Sequence, residues 1–359
     1  MKTKGVIASS MVLAGSLLTT YNGVGRGWAA TIVALIGFVI FMIGLSKFKP
    51  ELDEKGKGAI GLLFIAAIIG IVAMFVGLLP LIGGILSFLI LIAVVVLQII
   101  GYSKLKGSTS IGTEGISGAN LLLLSIVVLF IGAVFGLIPG LGRFIEPLFA
   151  LGALFMIVFG WLRIQKGFIG ETTMNAHSIS YILAGMLLQL GSTAASGWGT
   201  SVAAGLGFVM FLLGLTKLRD TLDQVGKAAV QLILIAVYIG LAASVIDFFA
   251  SLSVPDPTSF FKAPEPSIWE RIASLAFIAS FVVSLIGFIK FKESELLDDN
   301  GKSGVNMIII SMGLAIAASI FTGLLPFGGG FVATVFGVGG LFLVLFGWLN
   351  IQEALAEKI

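Results

Sequence analysis

Cysteine is absent from the 359-residue sequence, and histidine occurs once, at His177. The first absence removes disulfides, thiolate nucleophiles and cysteine-ligated zinc or iron–sulfur sites. The second removes any multi-histidine metal or haem site within the chain. Charge is scarce as well: Asp, Glu, Lys and Arg make up 11% of the residues, against about 25% in soluble domains. With 58% hydrophobic residues and a mean hydropathy of +1.14, such a chain cannot cover its own surface in water. Lipid must be its solvent. The net charge of +3 is small and dispersed, which argues against nucleic acid as a partner. No Ser-His-Asp set, acidic pair, phosphate-cradling loop or nucleotide motif stands out. General acid–base chemistry needs a titratable group held against the reacting atom, so no enzyme activity is expected, and no cofactor or metal site is read.

What is present is repetition. Residues 27–47 match 197–217 without a gap: Gly27, Trp28, Gly37, Phe38, Phe41, Gly44 and Lys47 pair with Gly197, Trp198, Gly207, Phe208, Phe211, Gly214 and Lys217. Ser117-Gly118-Ala119-Asn120 pairs with Ser303-Gly304-Val305-Asn306, and the run Phe159–Gln165 with Phe346–Gln352. The offset grows from 170 to 186, a net insertion of 16 residues in the second half. The chain reads as a tandem duplication, residues 1–170 and 171–359. Each half divides again. A short glycine motif closes every second helix, starting at Gly44, Gly101, Gly160, Gly214, Gly287 and Gly347. Three units share the turn Gly77-Leu78-Leu79-Pro80, Gly136-Leu137-Ile138-Pro139 and Gly323-Leu324-Leu325-Pro326.

A membrane span needs about 20 apolar residues. Spans are expected at 5–20, 28–46, 58–78, 83–102, 117–137, 145–163, 179–194, 199–216, 227–250, 269–289, 304–324 and 331–350. The fold class is therefore an all-α polytopic membrane protein: twelve transmembrane helices as six tandem hairpins, in two parallel six-helix halves. The apolar runs are continuous, where a membrane barrel would alternate. Met1-Lys2-Thr3-Lys4 before an apolar run has the form of a signal peptide, but the segment has a counterpart mid-chain and reads as the first helix. The first and seventh spans are short and rich in Ser and Thr. Three placements are open to them: tilted inward, shielded by neighbours, or only partly inserted. All but four of the 21 Lys and Arg residues fall at the termini or in the longer connections; the exceptions are Arg26, Arg143, Lys262 and Arg271. The positive-inside rule then puts both termini on the cytoplasmic side of the cell (inner) membrane.

Lipid tails are as apolar as leucine, so small residues must bring the helices together. Gly37 with Gly44, and Gly207 with Gly214, lie seven apart on one helix face. Trp28, Trp161, Trp198, Trp269 and Trp348 fall at expected helix ends and are read as headgroup anchors. Intramembrane ionisable groups are functional hypotheses by default; only Asp247 lies inside an expected span. Asn120 and Asn306 occupy matching positions. Gln98, Gln189 and Gln231 have no matching glutamine in the other half, where Ser284, Thr19 and Gly61 stand. These six residues form the candidate polar lining, and any selectivity built on the glutamines is asymmetric. His177, between the halves, is expected to be solvated. The insertion near 250–267 carries four prolines and the adjacent Phe260 and Phe261, followed by Trp269. Those three aromatics are the candidate partner-docking residues, because buried aromatics anchor interfaces.

The expected function is that of a non-catalytic membrane scaffold or accessory subunit, with membrane lipids and proteins within the membrane as partners. A passive transporter or channel for a small neutral or apolar solute is the alternative, and lipid or quinone handling a third reading. Two parallel six-helix halves resemble the design of major facilitator transporters, in architecture alone. No charged loop signature stands between the second and third helices, and the buried charges of an ion-coupled carrier are missing. The Gly/Pro rhythm of the turns is also similar to that of small hairpin membrane families, one of them linked to bacterial acid resistance, but glycines and a proline carry no function across.

Overall fold

A computed structural model of the chain describes residues 2–24, 28–77, 79, 82–136, 138, 142–168, 174–193, 198–251, 267–324 and 329–357. Among these, twelve α-helices follow one another: α1 (Lys2–Val24), α2 (Trp28–Phe48), α3 (Glu54–Val76), α4 (Gly83–Lys106), α5 (Gly112–Gly136), α6 (Gly142–Phe168), α7 (Met174–Thr193), α8 (Trp198–Thr221), α9 (Gln224–Ser251), α10 (Ile268–Phe291), α11 (Asp299–Leu324) and α12 (Gly329–Glu357). All but α1 and α7 are long and apolar enough to cross a membrane. The protein is a multi-pass, membrane-embedded, all-helical protein. In hydrocarbon no water is at hand for backbone N–H and C=O groups, so each span must close its hydrogen bonds on itself.

Helix starts are written as acceptors for orphan N–H groups. Asp53 accepts from Gly56 N–H at 2.8 Å, Asp223 from Gly226 N–H at 3.0 Å and Asp298 from Gly301 N–H at 2.8 Å. Ser267 and Glu270 form a reciprocal capping box at the start of α10. Asp53 also ties two connections together. Ser108 Oγ donates to it at 2.7 Å, Thr109 N–H at 2.8 Å and Thr109 Oγ1 at 2.9 Å. Desolvation pushes its carboxyl up, and these hydrogen bonds outweigh that, holding it well below the usual carboxylate range. Asp223 repeats the pattern with Ser294 and Glu295 N–H, and is also held low.

The chain divides into two compact units, Met1–Gly214 with Leu355–Ile359, and Leu215–Ala354. In the first unit α1 pairs with α2, α3 with α4, and α5 with α6, while α7 packs on the first part of α8. In the second, α9 pairs with α10 and α11 with α12. Glycine sets the separations. A Cβ on Gly44 would lie 2.7 Å from Val12 N, and one on Gly214 2.7 Å from Ile182 N. Both partners are backbone, so no side chain fits at either place. Contacts recur at the sequence offsets elsewhere too: Gly101 faces Leu63 and Ala59 O, Gly287 faces Ile233 and Ala229 O, Gly160 faces Leu122, and Gly347 faces Ile308.

α1 and α7 are inner helices of the first unit. On α1, Val6, Ser9, Ser10, Met11, Val12, Leu13 and Leu17 are all buried; on α7, Ser178, Ile179, Ser180, Ile182 and Leu183 are. α1 packs on α2, α6 and α7, and Ser10 Oγ and Ser180 Oγ meet at 2.9 Å. Residues hidden from lipid need little hydropathy, and neighbours shield both helices. The other helices turn their large side chains outward: Phe88, Phe130, Leu275 and Ile85 are among the exposed ones.

Two tryptophans overturn the anchor expectation. Trp161 and Trp348 are each 1% exposed. Trp161 stands edge-on to Phe48 and Tyr102, and Trp348 edge-on to Phe288. Helices converge there, and the indole is the volume that fills the gap. Trp269 is exposed, as an anchor should be.

Candidate functional site

A cavity of about 600 Å³ lies inside the first unit, walled by α1 to α6. α3 and α4 supply most of it. On α3 much of the wall is small, with Ala66, Ala67, Gly70 and Ala73 beside Met74, and small residues on a helix face leave space rather than fill it. Phe38, Phe41, Leu91, Val94 and Ile126 are among the larger apolar side chains on the wall. Six polar side chains interrupt it: Ser16, Thr19, Ser87, Gln98, Tyr102 and Ser125.

Four of the six have their hydroxyl protons committed. Ser16 donates to Val12 O at 2.6 Å, Thr19 to Ser16 O at 2.7 Å, Ser87 to Ala73 O at 2.9 Å and Ser125 to Leu122 O at 2.7 Å. Ser16, Thr19 and Ser125 back-bond within their own helices, whereas Ser87 on α4 donates across to α3. Gln98 and Tyr102 are different. They stand four apart on α4, hence on one face, and among the described residues neither side chain makes a hydrogen bond. Among the described residues, no Asp, Glu, Lys, Arg or His side chain lines the cavity.

The expected polar lining is not brought together. Gln98 is half-buried and on the cavity wall. Asn120 and Asn306 are exposed, at equivalent places on α5 and α11, and Asp247 is exposed on α9. Gln231 is exposed too and accepts from Arg219 Nη1 at 3.0 Å, which ties it to the α8–α9 connection. Gln189 is half-buried on α7. Of the docking trio, Trp269 is 57% exposed at the first turn of α10; Phe260 and Phe261 lie outside the described residues.

A second polar cluster joins α1, α6 and α7. Gln165, 1% exposed, donates through Nε2 to Val6 O at 3.0 Å and to Ser10 Oγ at 2.6 Å. Its Oε1 lies 3.0 Å from His177 Nδ1. His177 is therefore half-buried and held, rather than solvated as expected, with Tyr181 edge-on at 5.1 Å. Sequence reasoning passed over Gln165, although it closes the matched run Phe159–Gln165. Its counterpart Gln352 is also buried, while the position matching His177 is Ile7.

No protein-family model, curated protein or solved structure matches the chain.

Proposed function

We propose that this is a non-catalytic membrane protein that holds a small neutral, largely apolar molecule in the α1–α6 cavity. One observation carries the reading: a cavity of about 600 Å³ among membrane-crossing helices has, among the described residues, no ionisable carboxylate, amine, guanidinium or imidazole on its wall. A charged ligand there would lose its water without gaining a counter-charge. An apolar wall with a few placed polar groups is the usual form of a small-molecule site, and the volume falls within the roughly 300–1,000 Å³ of such sites. Gly70 offers the test. A Cβ there would meet only ring atoms of Phe38, at 3.6 and 3.8 Å, so Gly70→Leu fills the cavity without striking backbone. The full chain in detergent should bind 1-hexadecanol at one saturable site, and Gly70→Leu should weaken this at least tenfold with the unfolding temperature kept. Absent saturable binding to the wild type, or unchanged binding to the folded variant, refutes the reading.

The halves 1–170 and 171–359 are the product of tandem duplication in this account, supported by glycine contacts that recur at the sequence offsets. Both termini face the cytoplasm, supported by the basic connections.

A second reading, an accessory subunit that docks a membrane protein, is favoured by the large apolar residues that flank the 250–267 insertion. Phe248, Phe249, Ile268 and Trp269 are 59%, 64%, 69% and 57% exposed. Replacing 252–266 with a short Gly-Ser turn should leave the fold intact and release a co-purifying partner, with Phe260→Ala plus Phe261→Ala doing most of the same. Full partner retention in both variants rules this reading out.

A further inference from the structure

We infer that the cavity takes a single-chain lipophile with a neutral oxygen-bearing head, admitted sideways from the bilayer and read by Gln98 and Tyr102. The inference rests on the proposed function and adds the ligand class, the entry route and the residues that select it.

Shape sets the class of ligand. The wall runs along α4 from Ser87 to Tyr102, fifteen residues or about 22 Å at the helical rise. Such a space suits one extended chain.

Entry is lateral. Leu91 on α4 and Leu129 on α5 both line the cavity, yet they are 47% and 45% exposed. α4 is the least buried of the spans, with 11% of its apolar window inside the protein, so the cavity's α4–α5 side is the side that faces the bilayer in this proposal. A molecule already dissolved in the bilayer enters there without crossing water.

The head is set by the two polar groups with unused capacity. Tyr102 is 8% exposed, lines the cavity, and offers a hydroxyl that gives and takes a hydrogen bond. Gln98, one turn away, adds an amide with two N–H donors and a carbonyl acceptor. Buried polar groups are normally paired, and a hydroxyl or carbonyl head would pair both. A carboxylate or phosphate would meet no cation among the described residues of this wall. The second unit lacks the equivalent. Ser284 and Phe288 stand where Gln98 and Tyr102 do, and Ser280 Oγ donates to Ala236 O at 2.7 Å, closing α10 onto α9 beside Gly240.

The experiment compares three probes on the full chain in detergent: 1-hexadecanol, hexadecane, and palmitate at pH 8. The wild type should prefer the alcohol to the alkane about tenfold, as one or two hydrogen bonds allow, and should bind palmitate at least tenfold more weakly than the alcohol. In Gln98→Leu plus Tyr102→Phe, the preference for alcohol over alkane should shrink to about twofold while hexadecane binding holds. An unchanged preference in the folded double variant overturns the inference, and so does palmitate competing as well as the alcohol. Loss of both neutral probes by the folded double variant overturns it as well, since the pair would then shape the cavity rather than read a head. The first and third of these outcomes leave wild-type binding, and with it the proposed function, standing, whereas palmitate competing as well as the alcohol also removes the neutral-ligand reading. A wild type that binds no probe removes the proposed function itself.

Discussion

At the scale of single residues, the electrostatics concentrate outside the membrane. Asp53 is the clearest case: it caps α3 and gathers Ser108 and Thr109 from the next connection. Its depressed folded-state pKa means that the stabilisation is present above the ordinary aspartate range, near pH 4. It is lost only as pH falls below that, through the folded value. Asp53→Ala should cost about 1–2 kcal/mol at neutral pH, as loss of an N-cap does. In thermal unfolding in detergent, the gap between wild type and variant should stay full down to about pH 4 and narrow below it. A gap already gone at pH 5 would mean that the carboxylate is not held as described.

At the scale of elements, the Ser- and Thr-containing helices α1 and α7 are well buried. α1 and α7 meet through Ser10 and Ser180, so a double-mutant cycle of Ser10→Ala and Ser180→Ala should return a coupling near 0.6 kcal/mol, the average for polar pairs between membrane helices. A coupling of zero would deny that the pair holds the two helices together. The placement of α1 and α7 also marks how far sequence reasoning reached. Long apolar runs identified the spans because the bilayer leaves a helix few alternatives. α2 was expected at 28–46 and runs Trp28–Phe48; α4 was expected at 83–102 and runs Gly83–Lys106. Which helix is surrounded by others is a tertiary property, and only the Ser and Thr content of α1 and α7 hinted at it. The site was legible in one residue. Gln98 stood out as an amide without a counterpart, but Gln231 stood out equally and is a surface partner of Arg219. Tyr102 gave no signal at all, because only packing puts a helix-end tyrosine on the cavity wall. Trp161 and Trp348 misled for the converse reason: a helix-end tryptophan suits a headgroup or a crowded junction, and only packing decides between them.

At the scale of the whole molecule, the account makes a claim about orientation and a claim about asymmetry. Cysteines replacing the exposed Glu54 and Asp220 in this cysteine-free chain should react with an impermeant maleimide from the cytoplasmic side only. Efficient labelling of both from outside would reverse the topology. The central claim is that two halves alike in sequence differ in what they hold: a ligand site among α1 to α6, and a hairpin closed by Ser280 between α9 and α10. An experimental density map of the full chain in lipid nanodiscs tests this most directly. The account predicts elongated non-protein density along α4, ending within hydrogen-bond distance of Tyr102 and Gln98, and none between α9 and α10 beside Gly240. A first half whose α3 and α4 close as tightly as α9 and α10, with no density between them, would contradict it.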